Sequence, residues 1–130
     1  MIIVLLGQSC SGKTTTAKKL EEEGYTRMIT YTTRSPRVGE IDGVDYHFIT
    51  QKEFLTMIDK DEFAEYAEYD ASYGHVYYGS AKMDYDPDSN KVVVLNPEGY
   101  LQIKRNLIPH FSVYLNISIN EMERRIQKRG

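Results

Sequence analysis

Gly7-Gln8-Ser9-Cys10-Ser11-Gly12-Lys13-Thr14 constrains this chain more than any other stretch, because of what stands on either side of it. An all-apolar run, residues 2–6, precedes it, and Thr15-Thr16-Ala17-Lys18-Lys19-Leu20, with helical character, follows. The spacing G-x-x-x-x-G-K-[ST] between a strand and a helix is that of a phosphate-binding loop. Glycines let the backbone curl until successive N–H groups point inward, and the helix N-terminus adds partial positive charge. Gly7, Ser9, Cys10, Ser11, Gly12, Lys13, Thr14 and Thr15 are therefore the candidate ligands of a nucleoside triphosphate. Lys13 supplies a mobile cation for the β- and γ-phosphates, and the Thr14 hydroxyl is placed to ligate Mg²⁺. A glycine turn beside a surface lysine is the simpler alternative, and the flanking strand and helix argue against it.

At 130 residues there is room for one domain. Apolar residues make up 41% and charged ones 27%, enough apolar material for a buried core. A net charge of −3 means that no global basic field draws the chain to nucleic acid, so any anion site must be a local cluster. The lone Cys10 excludes an internal disulfide and fits a reducing compartment. Its place inside the phosphate loop reads either as filler or as a labile modification site. The first residues are too few and too uncharged for a signal peptide, and no apolar stretch approaches membrane-spanning length. The expectation is a cytoplasmic protein that meets neither membrane nor nucleic acid.

Residues 2–6 read as a buried parallel strand and residues 13–23 as a helix stopped by Gly24. Residues 25–31 read as a second, more polar strand, 32–40 as a loop, and 45–49 as a short strand. Thr50-Gln51-Lys52-Glu53 is a capping box that opens a helix to about Asp59, with Phe54, Leu55 and Ile58 on one face. Residues 62–69 and 72–79 alternate around Asp70-Ala71 as a tyrosine-rich antiparallel hairpin. A loop or frayed helix over 82–90 leads to an apolar strand at 91–95, hence central and parallel. A helix at 98–107, a strand at 111–117, a capping box at 118–121 and a helix to about residue 128 complete the order. Strands alternating with helices predict an α/β fold with a parallel sheet flanked by helices. Residues 32–80 break the alternation and read as an inserted small mixed subdomain, leaving 1–31 and 81–130 as the core. Ligands in such folds sit at the carboxyl ends of the strands, where the phosphate loop, residues 30–37 and residues 96–98 converge.

Arg34 and Arg37 lie three residues apart, separated by Ser35-Pro36, which restricts the backbone. Two guanidinium forks on a stiff loop suit a bidentate anion clamp, although in isolation they read more readily as solvated arginines. Here the sequence resembles the guanylate kinase family. Thr32-Thr33-Arg34-Ser35-Pro36-Arg37-x-Gly39-Glu40, followed by Gly43-x-Asp45-Tyr46-x-Phe48, is similar to that family's TTR-x-PR-x-GE…G-x-DY-x-F region. Phe63-Ala64-Glu65-Tyr66-Ala67 and Tyr77-Tyr78-Gly79-Ser80 resemble its guanine-pocket segments, in the same order. The likeness runs over nearly the whole chain, and the TTR-x-PR block is its most specific part.

The resemblance implies a P-loop NTPase-type sheet in which the insertion holds the nucleoside monophosphate. It implies that Arg34, Arg37, Tyr46 and Tyr78 hold the acceptor phosphate, that Glu65 and Ser80 read guanine, and that Thr30 lies near the acceptor. It implies transfer of the γ-phosphoryl group of Mg·ATP to GMP or dGMP, with Lys13, Arg34 and Arg37 as the catalytic residues. The chemistry of the residues agrees: a carboxylate accepts from guanine N1–H and its 2-amino group together, and a hydroxyl donates to O6. Read without the family, Glu65 is an exposed strand carboxylate and Ser80 a helix N-cap. Tyr66, Tyr69, Tyr73, Tyr77 and Tyr85 read as core or pocket walls.

Three departures stand out. Leu95-Asn96-Pro97-Glu98-Gly99 occupies the place of the family's L-D-x-D; Asn96 carries no charge there, Glu98 is the candidate to take over near the acceptor, and Pro97 fits the first residue of a helix. Residues 70–75 look inserted between Glu65 and Tyr78. The chain ends where the family's lid would begin, with Arg124, Arg125 and Arg129 on the last helix, so the expectation is a sequence lacking the lid and closing helix. The alternatives left open are a P-loop kinase acting on another nucleoside monophosphate or a phosphorylated sugar, and a guanylate-kinase-like module that binds partners without catalysis.

Overall fold

The computed structural model describes residues 1–7, 12–72 and 74–115 and divides into two compact units. The first comprises 1–27, 86–98 and the chain from 109, the second 28–85 and 99–108. Expectations for Gln8, Ser9, Cys10, Ser11, Tyr73 and residues 116–130, which include the second capping box and the last helix with its arginines, lie outside the described residues.

In the first unit, β1 (Ile2–Gly7) is buried on both faces, as an unbroken apolar run must be. It pairs in parallel with β7 (Lys91–Val94) on one side and β8 (Phe111–Leu115) on the other, and β2 (Thr26–Arg27) adds to β7. The order β2-β7-β1-β8 is wholly parallel, so each connection must cross over, and α1 (Lys13–Glu22) is the first such crossover. Ile3, Leu5, Ala17 and Val92 form a core cluster between α1 and the sheet, sealed by Leu20 and Tyr25. Each of the larger aliphatic side chains buried here contributes about 1.5–3 kcal/mol relative to leaving it in water.

The second unit is a mixed sheet ordered β4-β3-β6-β5, from β3 (Tyr31–Thr32), β4 (His47–Phe48), β5 (Phe63–Ala71) and β6 (Gly74–Ala81). The stretch 25–31 is thus two strands in two sheets, a correction to the single strand expected. Its alternation suits either sheet, and Arg27-Met28 is where the chain leaves one unit for the other. Helix α2 (Gln51–Asp59) covers one face, and its capping box is formed in both directions. Phe54 stacks on Phe63 at 4.3 Å between ring centroids and meets Tyr77 at 5.1 Å. Met57 and Ile58, three and four residues on, pack beside Phe54, whereas Leu55, about 100° around the helix, is exposed rather than on the apolar face.

Residues 70–75 are absorbed at the hairpin tip. The β5–β6 ladder runs to Ala71 opposite Gly74, and His75 bridges to Asp70 at 2.7 Å and Glu68 at 2.8 Å. A bulge between Phe63 and Glu65 sets the register, so that Glu65 rather than Ala64 stands opposite Ser80. Gly79 permits that approach: a Cβ there would lie 2.9 Å from the Phe63 ring and 3.0 Å from the Glu65 carbonyl oxygen. A 3-10 turn, Lys82–Asp84, follows β6 and leads to Tyr85. Helix α3 (Pro97–Arg105) begins at Pro97, as its position predicts. Gln102 guards the β5 edge by donating to the Tyr66 carbonyl at 2.9 Å and accepting from its N–H at 3.0 Å. Among the described residues no helix is long and apolar enough to cross a membrane.

Candidate functional site

The phosphate loop connects a strand to a helix, as its spacing requires. Gly7 ends β1, and Gly12, with φ of 95°, is the left-handed residue that turns the chain into α1. Lys13 is the first residue of that helix, and its Nζ donates to the Gly7 carbonyl at 2.8 Å, holding the ammonium over the strand end. Thr14 and Thr15 are exposed in the first turn. A hydroxyl is a hard oxygen donor of the kind Mg²⁺ accepts while keeping its waters and phosphate ligands, so Thr14 fits the ion. Glu98 is exposed in the first turn of α3.

The second unit gathers the anion-binding candidates on the sheet face opposite α2. Arg34 is 5% exposed, a degree of burial that a guanidinium tolerates only when paired. Its fork meets Glu40, Nη1 to Oε1 at 2.7 Å and Nη2 to Oε2 at 2.8 Å, while Nε donates to the Tyr78 hydroxyl at 3.0 Å and Nη1 also to the Ser35 carbonyl at 3.1 Å. The rings of Tyr46 and Phe48 flank the guanidinium, their centroids 5.2 and 5.7 Å from Cζ. Arg34 with the Arg37 backbone N–H holds the Glu40 carboxyl down at about 2. Arg37 itself is exposed, and Thr30 is half-buried beside β3, its carbonyl accepting from the His47 N–H at 2.8 Å. The Arg34–Glu40 pairing escaped the sequence reading. The six-residue separation around Pro36 and Gly39 was its only signal, and a loop's closure is not written in its composition.

Glu65 and Ser80 are side by side and buried, 9% and 0% exposed, rather than an exposed carboxylate and a helix cap. Ser80 Oγ donates to Glu65 Oε1 at 3.0 Å and lies 2.8 Å from the hydroxyl of Tyr85, itself buried. Burial pushes the Glu65 carboxyl up to about 7, and the Ser80 hydrogen bond only partly opposes it. No cation pairs with Glu65 among the described residues. Of the remaining tyrosines, Tyr77 belongs to the α2 core, whereas Tyr66 and Tyr69 are exposed by 39% and 44% and wall nothing off completely.

An arginine held between a carboxylate and a tyrosine hydroxyl and a buried carboxylate–hydroxyl pair thus lie on one sheet of the second unit. The guanylate kinase family model matches residues 1–130. The chain belongs to the guanylate kinase family. It is 39% identical over 137 aligned residues to the guanylate kinase of Clostridium perfringens strain 13, an alignment covering 100% of this chain and 62% of that protein. Identity to the guanylate kinase of Schizosaccharomyces pombe is 32%, over 98% of this chain and 65% of the relative. The crystal structure of guanylate kinase from Anaplasma phagocytophilum superposes with a TM-score of 0.67 at 28% identity, over 98% of this chain and 66% of that one. The chain thus spans about 62% of the length of the first of these guanylate kinases.

Proposed function

We propose that this protein transfers the γ-phosphoryl group of ATP to the phosphate of GMP or dGMP, giving ADP and GDP or dGDP. The observation that carries the reading is Glu65: a buried carboxylate beside a buried hydroxyl, with no cation to neutralise it among the described residues. Such a group is costly unless a ligand brings donors, and the N1–H and 2-amino group of guanine are two donors at the spacing of one carboxylate. Adenine presents neither, so the wrong base leaves buried polar groups unpaired.

In this reading Gly7, Ser9, Cys10, Ser11, Gly12, Lys13, Thr14 and Thr15 hold the phosphates of ATP. Arg34, Arg37, Tyr46 and Tyr78 hold the acceptor phosphate, Thr30 and Glu98 stand near the acceptor nucleotide, and Glu65 with Ser80 reads the base. The acceptor oxygen is already ionised near neutral pH, so no general base is needed. The bond from the γ-phosphorus to the β-phosphate oxygen breaks, and one to the acceptor oxygen forms. Catalysis is positioning plus neutralisation of charge. Lys13 follows the β- and γ-phosphates, and Arg34 turns a free N–H of Nη2 to the acceptor while Glu40 fixes its fork. Thr14 would hold Mg²⁺, which when bound would supply further charge neutralisation on the triphosphate. Residues 1–31 and 81–130 serve as the ATP-binding core and residues 32–80 as the monophosphate-binding insertion, in a cytoplasmic protein with no nucleic acid or membrane partner.

The test is ADP release from Mg·ATP with each nucleoside monophosphate in turn, beside a calorimetric titration of GMP. Turnover confined to GMP and dGMP is expected. Equal turnover with AMP, or no GMP binding, rejects the guanine assignment.

A further inference from the structure

Ser80 has one proton and two lone pairs, and its neighbours restrict how it uses them. Ionised Glu65 only accepts, so the Ser80 proton points to Oε1 across 3.0 Å. Across the 2.8 Å contact on its other side, Tyr85 must then be the donor to Ser80 Oγ. Tyr85 is suited to that part. It is 4% exposed, and burial raises its pKa well above the ordinary phenol value, so the hydroxyl keeps its proton throughout the neutral range. Its ring is delivered by the turn that follows β6, five residues beyond Ser80, so the same strand end supplies both members of the relay.

We propose that Tyr85 is a specificity-positioning residue: by donating to Ser80 Oγ it occupies one of the two Ser80 lone pairs and favours the Ser80 hydroxyl as a donor toward the 6-position of the bound purine. The inference rests on the acceptor reading above and deepens it. When guanine arrives, its N1–H and 2-amino group occupy the Glu65 oxygens, and the Ser80 proton turns to O6. Tyr85 still holds one Ser80 lone pair, which leaves a single one to accept from a 6-amino group. A base with an amine at that position finds one Ser80 lone pair in place of two, and without an N1–H it leaves Glu65 short of a donor. The buried chain Tyr85–Ser80–Glu65 reads the 6-oxo group by exclusion as well as by attraction.

Calorimetry of the full chain with GMP and with 2,6-diaminopurine riboside 5′-monophosphate tests this, using wild type, Tyr85→Phe, Ser80→Ala and the double variant. The Tyr85→Phe substitution keeps the ring and removes only the hydroxyl. It is expected to weaken GMP binding by about fivefold, the effect of one neutral hydrogen bond, and to narrow the preference for GMP over the 6-amino analogue by about tenfold. In the Ser80→Ala background Tyr85→Phe is expected to change neither quantity, because its effect passes through Ser80. The preference is a ratio taken on one sample, so it is insensitive to the folded fraction, and thermal unfolding of each variant reports any loss of packing. Unchanged or tighter GMP binding by Tyr85→Phe, or additive effects in the double variant, overturns the proposal while wild-type GMP binding keeps the kinase reading. Wild type that binds no GMP overturns both.

Discussion

At the scale of single residues, the chemistry of the second unit turns on Glu65. In the unfolded chain its carboxyl titrates at the ordinary value, whereas in the folded protein burial raises it to about 7. The folded state therefore holds the proton more tightly. This group's contribution to stability is fully present below the ordinary glutamate value and is lost as pH rises through about 7, amounting to roughly 3 kcal/mol once ionised. In the proposed reading ligand binding carries the opposite sign, because the carboxylate is the form that accepts from guanine. GMP affinity should climb between about pH 6 and pH 8 while the unfolding temperature of the free protein declines. Glu65→Gln should flatten both profiles and weaken GMP binding by about 100-fold, since its amide presents a donor to N1–H. Calorimetry and thermal melts across the pH range read these out, and an unchanged affinity profile in the variant rejects the role. Glu65 was singled out by the resemblance; that it is buried, with no cation beside it among the described residues, was not legible, because burial belongs to what packs over a strand.

At the scale of elements, all three described helices end in the same way. Gly24, Asp61 and Leu107 each follow the C-cap in the left-handed region, with φ of 102°, 56° and 56°. The paired reverse bonds of a Schellman end are present in each case: Gly24 to Glu21 and Tyr25 to Leu20, Asp61 to Ile58 and Glu62 to Met57, Leu107 to Lys104 and Ile108 to Ile103. Glycine marked the first stop in the sequence. The other two were missed, because aspartate carries only a weak local preference for a left-handed turn and leucine none, and both are held there by the helix-end bonds. Leu107 is 87% exposed, so its side chain recovers little for the strain. Leu107→Gly is expected to stabilise the protein by about 0.5–1 kcal/mol, raising the melting temperature by a few degrees without altering nucleotide binding. Differential scanning calorimetry decides it, and a lowered melting temperature contradicts the assignment of strain. Asp61 is a poorer target, because its carboxylate also pairs with Lys82 at 2.7 Å.

At the scale of the whole molecule, Lys13 belongs to one compact unit and Arg34 to the other. The two nucleotides should therefore be separable by substitution. Lys13→Ala should weaken ATP binding by about tenfold or more while the GMP dissociation constant stays within about twofold of wild type. Arg34→Lys, which keeps the charge opposite Glu40 but not the fork, should do the reverse. ADP release with GMP should fall in both. Parallel titrations of each variant with each nucleotide test the division, and a variant that loses both affinities breaks it. The sequence alone determined the strand ending at Gly7 and the helix opening at Lys13, the parallel pairing of the apolar strands, the capping box at Thr50 and the family. Each is set by residues near one another in the chain, through spacing, apolar runs and capping chemistry. Only the tertiary structure decided that residues 25–31 serve two sheets, that Glu40 holds Arg34, that a bulge brings Glu65 opposite Ser80, and that the Tyr85 hydroxyl lies against Ser80. Alternation in a strand assigns a residue to a face, but a bulge shifts its phase, and the partner across the ladder is chosen by packing between distant segments.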